Sequence, residues 1–401
     1  MKYRFALPFA VALLANVSAI AEIDDTAKAE RDFDLPGSEA SLLENSLTLD
    51  DVDFLGSPMK RFAEKWPEDL VIAPIPGYSP QIGWNLTLGG GYFLQSGDKD
   101  SETPPSVIGG FVMGAENGSY AYGAGANLHL LDDRLRLKFG AAYMDVRYQF
   151  YGIGNDQNDL GIRVDLLQNG PLYFATGSWR VWKKLYVGLG YMSGEVDTRL
   201  RLDAPLPPSF DPVLNDPVLK LDTGAINIPI EIDSRDHEQF PRDGWLVKAR
   251  GMFYRESVGS DFESETFKLI VNRYLPMRDQ DVLALRLFIK GTSEDTPFFL
   301  LSTFGGSTDL RGYPSGRYRD RMMYAMQSEY RWQYNDRWIF TGFAGFGEVA
   351  DSFSKFGKNF LPAGGIGARF ILSAKHRVSL SADVAVGDDG AEFYFGVGES
   401  F

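Results

Sequence analysis

The chain is 401 residues long, carries a formal net charge of −14 and contains no cysteine. That acidity argues against a nucleic-acid partner, whose usual footprint is a basic face. The absence of thiols excludes disulfides and thiolate metal centres, while 43 glycines and 14% aromatic residues fit alternating strands better than a helical core.

Lys2 and Arg4 make a short basic start, Phe5 to Val17 is mostly apolar, and Ala19-Ile20-Ala21 offers a small-x-small cleavage pattern. Residues 1–21 therefore read as a signal peptide, cleaved near Ala21. The apolar stretch is too short to span a bilayer comfortably, and no later window holds about 18 consecutive apolar residues. Residues 22–59 hold eleven Asp and Glu against only Lys28 and Arg31. With a short amphipathic turn over 58–68, the segment 22–68 reads as acidic, flexible and periplasmic. Residues 69–401 are then the folded part.

From Ile82 onward the hydrophobic period is two. It predicts sixteen strands: 81–95, 106–115, 118–130, 135–150, 160–168, 170–180, 184–196, 222–232, 244–256, 263–275, 281–291, 321–333, 337–346, 361–373, 376–386 and 391–401. Within 83–94, Trp84, Leu86, Leu88, Tyr92 and Leu94 share one face, opposite Asn85, Thr87, Gly89 and Gly91. Within 281–291, Leu283, Leu285, Leu287 and Ile289 oppose Ala284, Arg286, Phe288 and Lys290. Such alternation fits a soluble sandwich as well as a membrane barrel, where the charged face lines the lumen. The export signal and the last strand decide between them. That strand carries Phe393, Phe395, Val397 and Phe401 on one face and has nothing after it. Closure of a barrel removes such an edge by pairing the last strand with the first. The expectation is an all-β, sixteen-stranded antiparallel transmembrane barrel of outer-membrane type, embedded in outer-membrane lipid. Its final strand resembles the signal read by the bacterial barrel-assembly machinery, the partner expected during biogenesis.

With the first strand at 83–94, the long connections 96–105, 197–221, 292–320 and 347–360 fall outside the cell. Short turns near Asn117, Lys183, Arg278, Asn335 and Lys375 fall in the periplasm. The three histidines, His129, His237 and His376, have no ligand-like spacing, so no metal is expected. Gly89-Gly90-Gly91 lacks the Lys-Ser/Thr and helix of a phosphate loop and reads as strand glycine. No nucleophile elbow or catalytic triad pattern is present, and neither an enzyme nor a cofactor is expected.

The connection after the eleventh strand contains Phe304-Gly305-Gly306-Ser307-Thr308-Asp309-Leu310-Arg311-Gly312-Tyr313. It resembles the bacterial surface antigen family, the barrel shared by BamA, TamA and two-partner secretion transporters. In that family an Arg-Gly-aromatic loop tip folds back into the lumen, and the resemblance assigns that role to Leu310, Arg311, Gly312 and Tyr313. Asp233-Ser234-Arg235-Asp236, with Pro241 and Gly244 downstream, resembles the family's periplasmic turn. Glu329-Tyr330-Arg331 resembles its Glu-x-Arg strand pair, and the last forty residues, with Gly364-Gly365-Ile366-Gly367 and Asp383, its final strands. Gly345 stands where the family places an aspartate that pairs with the loop arginine, so Glu329 and Glu348 are the candidates to replace it, with Arg331 alongside. Only about sixty residues precede the barrel, too few for a POTRA domain. The resemblance implies insertion or translocation of protein or lipid at the outer membrane, with a weak seam between strands 83–94 and 391–401. A client chain or a periplasmic partner would meet the barrel there or through 22–68. The alternative is a passive pore or structural surface barrel.

Overall fold

The computed structural model describes residues 69–401, apart from 80, 95–102, 152, 154–163, 202–217, 238–239, 279, 298, 307–308, 315 and 374–377. The expected signal peptide, the acidic segment 22–68 and His376 lie outside the described residues. Strands β1 (Leu70–Ser79), β2 (Gly83–Leu94), β3 (Ser106–Ala115), β4 (Tyr120–Leu130), β5 (Leu135–Phe150) and β6 (Val164–Trp182) follow in order. They continue as β7 (Leu185–Arg201), β8 (Val218–Asp233), β9 (Gly244–Tyr254), β10 (Ser264–Pro276) and β11 (Val282–Thr292). A small hairpin, β12 (Ser302–Phe304) and β13 (Tyr318–Asp320), precedes β14 (Met322–Gln333) and β15 (Trp338–Ala350). The chain ends with β16 (Leu361–Ser373), β17 (Val378–Gly387) and β18 (Gly390–Val397). All except β12 and β13, which pair with each other, form one closed barrel of sixteen antiparallel strands.

Polarity is inverted, as a lipid-facing wall requires. Trp84, Leu86 and Leu88 are more than half exposed, whereas Glu329 and Arg369 are fully buried. The lumen holds the core. Loop residues Phe262, Phe299 and Leu300 pack on Leu172, Met192, Leu221 and Tyr254 of the wall. Leu310, Tyr313 and Tyr318 pack on Phe288, Met323, Val349 and Leu361.

The strand total matches the expected sixteen through two errors that cancel. Leu70–Ser79 is a barrel strand, although no strand is expected ahead of residue 81 and the segment carries Pro74 and Pro76; proline is tolerated here because the strand lies at an edge of the pairing. Asn169-Gly170-Pro171 reads as a turn between two strands, yet β6 runs through it, held by unbroken pairing from Leu135 to Phe150 of β5. A Cβ at Gly170 would collide with the main-chain oxygen of Glu195. Only glycine lets β6 pass β7 at that point.

These shifts move the connections between β2 and β5 to the opposite rim. β2 ends and β3 begins at the rim of turns 131–134 and 183–184, not the rim of the long loop between β11 and β14, and the Asn117 turn joins the long-loop rim. The closing neighbours are β1 and β18, not 83–94 and 391–401. The last strand also stops earlier. Gly398, at φ 83, turns the chain inward after Val397. Phe401 therefore packs inside the lumen on Tyr274, Val282 and Ala284, and does not share the face of Phe393.

Candidate functional site: the lumen arginine cluster

The long connection between β11 and β14 folds into the lumen as the β12–β13 hairpin with the Leu310–Tyr313 tip beyond it. Gly312 adopts φ 115 and lies against the wall, where a Cβ would press on Ala363 and on Val386. That region of backbone space favours glycine. The Gly312 N–H donates to Tyr394 Oη at 3.0 Å, and Tyr313 Oη donates to the carbonyl of Pro362 at 2.6 Å. The tip is thus fixed to β16–β18, the strands beside the closing seam. Asp309 turns the chain ahead of it, accepting from the N–H groups of Gly306 and Leu310 at 2.7 and 2.8 Å; burial pushes its carboxyl up, against those two donors.

Arg311 is fully buried and uses its whole fork. Nε donates to Gln327 Oε1 at 2.9 Å and Nη2 to Glu329 Oε2 at 2.5 Å. Nη1 reaches Asp383 Oδ2 at 2.7 Å and Ser400 Oγ at 2.9 Å, while the plane stacks on Phe343 at 3.5 Å from the ring centre. Planar donors in a fixed fork suit this multi-point capture. Two more arginines complete the cluster. Arg331 donates to Glu329 Oε1 at 2.8 Å and to the main-chain oxygen of Phe401. Arg369 bridges Asp383 at 2.5 Å and Glu399 at 3.1 Å. Arg311, Arg331 and Arg369 thereby meet Glu329, Asp383 and Glu399, an even balance of charge. Buried ions add little net stability but are costly to break, so this cluster defines where loop and tail sit.

Glu329 thus stands at the loop arginine, with Arg331 behind it. Glu348 does not reach it: its carboxylate accepts from the N–H groups of Gly357, Lys358 and Asn359, at 2.7–3.0 Å, capping the 351–360 loop. Gly345 has no space for a carboxylate. A Cβ there would run into the main-chain oxygen of Met326 and sit 3.1 Å from Leu310 Cδ1. Leu310 occupies the volume instead. Gly345→Asp should therefore displace the tip, and limited trypsin digestion at Arg311 should become at least several-fold faster than in the unmodified barrel.

Arg369, Glu399, Gln327 and Phe343 are members that motif reading did not assign. One signal was available. Gly367 lies directly opposite Asp383, and a Cβ at Gly367 would overlap that carboxylate; the glycine opens the space in which Asp383 and Arg369 meet. The turn residues form a separate, self-contained unit. Arg235 chelates Asp233 at 2.7 Å, Asp236 Oδ1 accepts from the N–H groups of Arg242 and Asp243, and Gly244 takes φ 110. Pro241 is buried in the same turn. Phe393 is exposed on the lipid face, and Phe395 is the residue of β18 in register with β1, opposite Tyr78. Among the described residues no group of three or more His, Asp or Glu is arranged to hold a metal ion.

An outer-membrane barrel whose lumen is filled by its own arginine-tipped loop is the class this geometry defines. The Omp85 superfamily domain model matches residues 120–401, and the chain belongs to that superfamily. Similar solved structures include BamA from Haemophilus ducreyi lacking POTRA domains 1–3, at 15% identity and TM-score 0.56, covering 84% of this chain and 71% of that one. CdiB from Acinetobacter baumannii shares 12% identity at TM-score 0.53, with 83% of this chain and 60% of that one covered. CdiB from Escherichia coli shares 11% identity at TM-score 0.53, over 83% and 63%. The chain thus spans less than two thirds of either CdiB chain. No curated protein matches it by sequence.

Proposed function

We propose that the barrel inserts or translocates protein, or lipid, at the outer membrane, and that the β1–β18 seam is where the wall opens. The observation that carries this reading is the register of the seam. Among the described residues β1 and β18 share one pair, Tyr78 opposite Phe395, whereas β1 and β2 are in register from Leu70 to Ser79. The weakness has a cause in the sequence. Asp69 bonds β2 through its carbonyl, so in an antiparallel ladder the odd-numbered residues of β1 face β2 and the even-numbered ones face β18. Continuing the register from Tyr78 puts Pro76 opposite Val397, and Pro76 has no N–H to donate. Beyond Val397, Gly398 takes the chain into the lumen before Pro74 is reached. On this reading the protein is a transport or insertion protein, not an enzyme, and its partners are outer-membrane lipid and a client chain, with 22–68 as the contact for a periplasmic partner.

A passive pore is the second reading, and the loop and tail packed in the lumen count against it. Photo-crosslinking in living cells separates the two. A crosslinker at Ile72 on β1 or Phe393 on β18 should capture newly exported chains or lipid well above the level at Leu189 on β7, which is more exposed than either. Equal capture at all three positions would defeat the proposal.

A further inference from the structure

Besides Lys248, which pairs with Glu231, four lumen cations on β9–β11 take no part in the Arg311 cluster. Lys268 on β10 is the direct cross-strand partner of Arg250 on β9 and of Lys290 on β11. Arg286 lies four residues deeper on the same face of β11. Like charges placed directly opposite each other destabilise a sheet. Among the described residues, no carboxylate lies within ion-pair distance of any of the four. Arg286 is only 8% exposed; Nη1 donates to Asn272 Oδ1 at 3.1 Å, and Nε has no partner. Lys290 Nζ donates to the carbonyls of Leu300 and Leu301, and Lys268 sits over the Phe288 ring at 4.9 Å. Glu231 and Asp309 are the carboxylates whose field reaches the row. Both are engaged elsewhere, Glu231 by Arg136 and Lys248 and Asp309 by the N–H groups of its own turn.

We propose that this row binds a compact, multivalent, phosphate-bearing anion inside the lumen. Neighbouring strands lie about 4.8 Å apart, so the three aligned cations span about 10 Å. An acidic strand would present same-face charges only every ~6.8 Å. A group carrying several charges on clustered oxygens matches the closer spacing, and arginine forks match phosphate geometry. The shared chemistry is phosphate, whether free or on a lipid headgroup. The inference does not depend on the seam opening.

The full-length barrel in an uncharged detergent would be titrated calorimetrically, at fixed ionic strength, with pyrophosphate, with phosphatidic-acid-doped micelles and with polyglutamate. Lys268→Gln and Arg250→Gln should each weaken phosphate binding on the order of tenfold, and Lys220→Gln, at an exposed position of β8, should leave it unchanged. Binding of pyrophosphate identifies a soluble source, and binding of the doped micelles alone identifies a lipid headgroup. Polyglutamate binding more tightly than both, or phosphate binding indifferent to Lys268→Gln, overturns the proposal. A second readout is stability. Without anion, Lys268→Gln should unfold at a higher temperature than the unmodified barrel, and saturating pyrophosphate should reverse that order. A variant less stable under both conditions would show that the row carries no unrelieved repulsion.

Discussion

Arg311→Ala is expected to lower the stability of the assembled barrel by about 3–5 kcal/mol, the range for breaking a buried ion pair from one side. The size follows from what is left behind. Without the guanidinium, Glu329 and Asp383 remain fully or almost fully buried and must share Arg331 and Arg369 with Glu399. Heat-modifiable gel mobility reads the effect directly, as the temperature at which the compact band converts to the unfolded one. Arg311→Lys should recover only part of the loss, since one ammonium cannot serve Gln327, Glu329, Asp383 and Ser400 at their separate positions. Adding Glu329→Gln to Arg311→Ala should cost less than Glu329→Gln alone, because the two residues act as one unit. An ordinary surface arginine would cost less than about 0.5 kcal/mol; a shift that small would mean the loop is not held by this cluster.

The barrel was legible because alternation is a strong signal when one face meets lipid and the other a charged lumen. Leu283, Leu285, Leu287 and Ile289 against Arg286 and Lys290 mark β11 without any structure. The errors fall where local chemistry and long-range pairing disagree. Asn169-Gly170-Pro171 carries every local mark of a turn, yet sixteen paired residues of β5 extend the strand through it. Pro74 and Pro76 break the strand pattern ahead of residue 81, yet β2 supplies a full partner on the side that needs their neighbours' donors. In the cluster, Arg311, Glu329 and Arg331 were visible as motif residues. Arg369 and Glu399 were not, because they come from β16 and from the tail after β18, and only closure of the barrel and the turn at Gly398 bring them to Arg311. Phe401 misled for the same reason: alternation continues through it in the sequence, but the backbone does not.

Closing the seam covalently should abolish activity. Tyr78 and Phe395 form the seam's registered pair, and by the parity of β1 they are of the hydrogen-bonded kind, with Cα atoms about 5.5 Å apart. That separation lies within the range a disulfide accepts. The protein has no native cysteine, so Tyr78→Cys/Phe395→Cys introduces a single possible bridge. Oxidised, the barrel should lose nearly all client capture at Ile72 and Phe393 while keeping its folded mobility; reduced, it should regain it. Pro76→Val tests the same seam without a covalent bond. A valine N–H there would find the Val397 carbonyl and add one ladder bond, worth about 0.5–1.5 kcal/mol. The variant should therefore be more stable and less active. A structural seam gives a different pair of results, with stability rising and activity unchanged, since nothing that crosses the membrane would pass between β1 and β18. The proline is then the informative residue. If Pro76 serves only to blunt an edge, replacing it is harmless; if the edge must part, the missing donor keeps the energy of parting low, and restoring it should slow that parting.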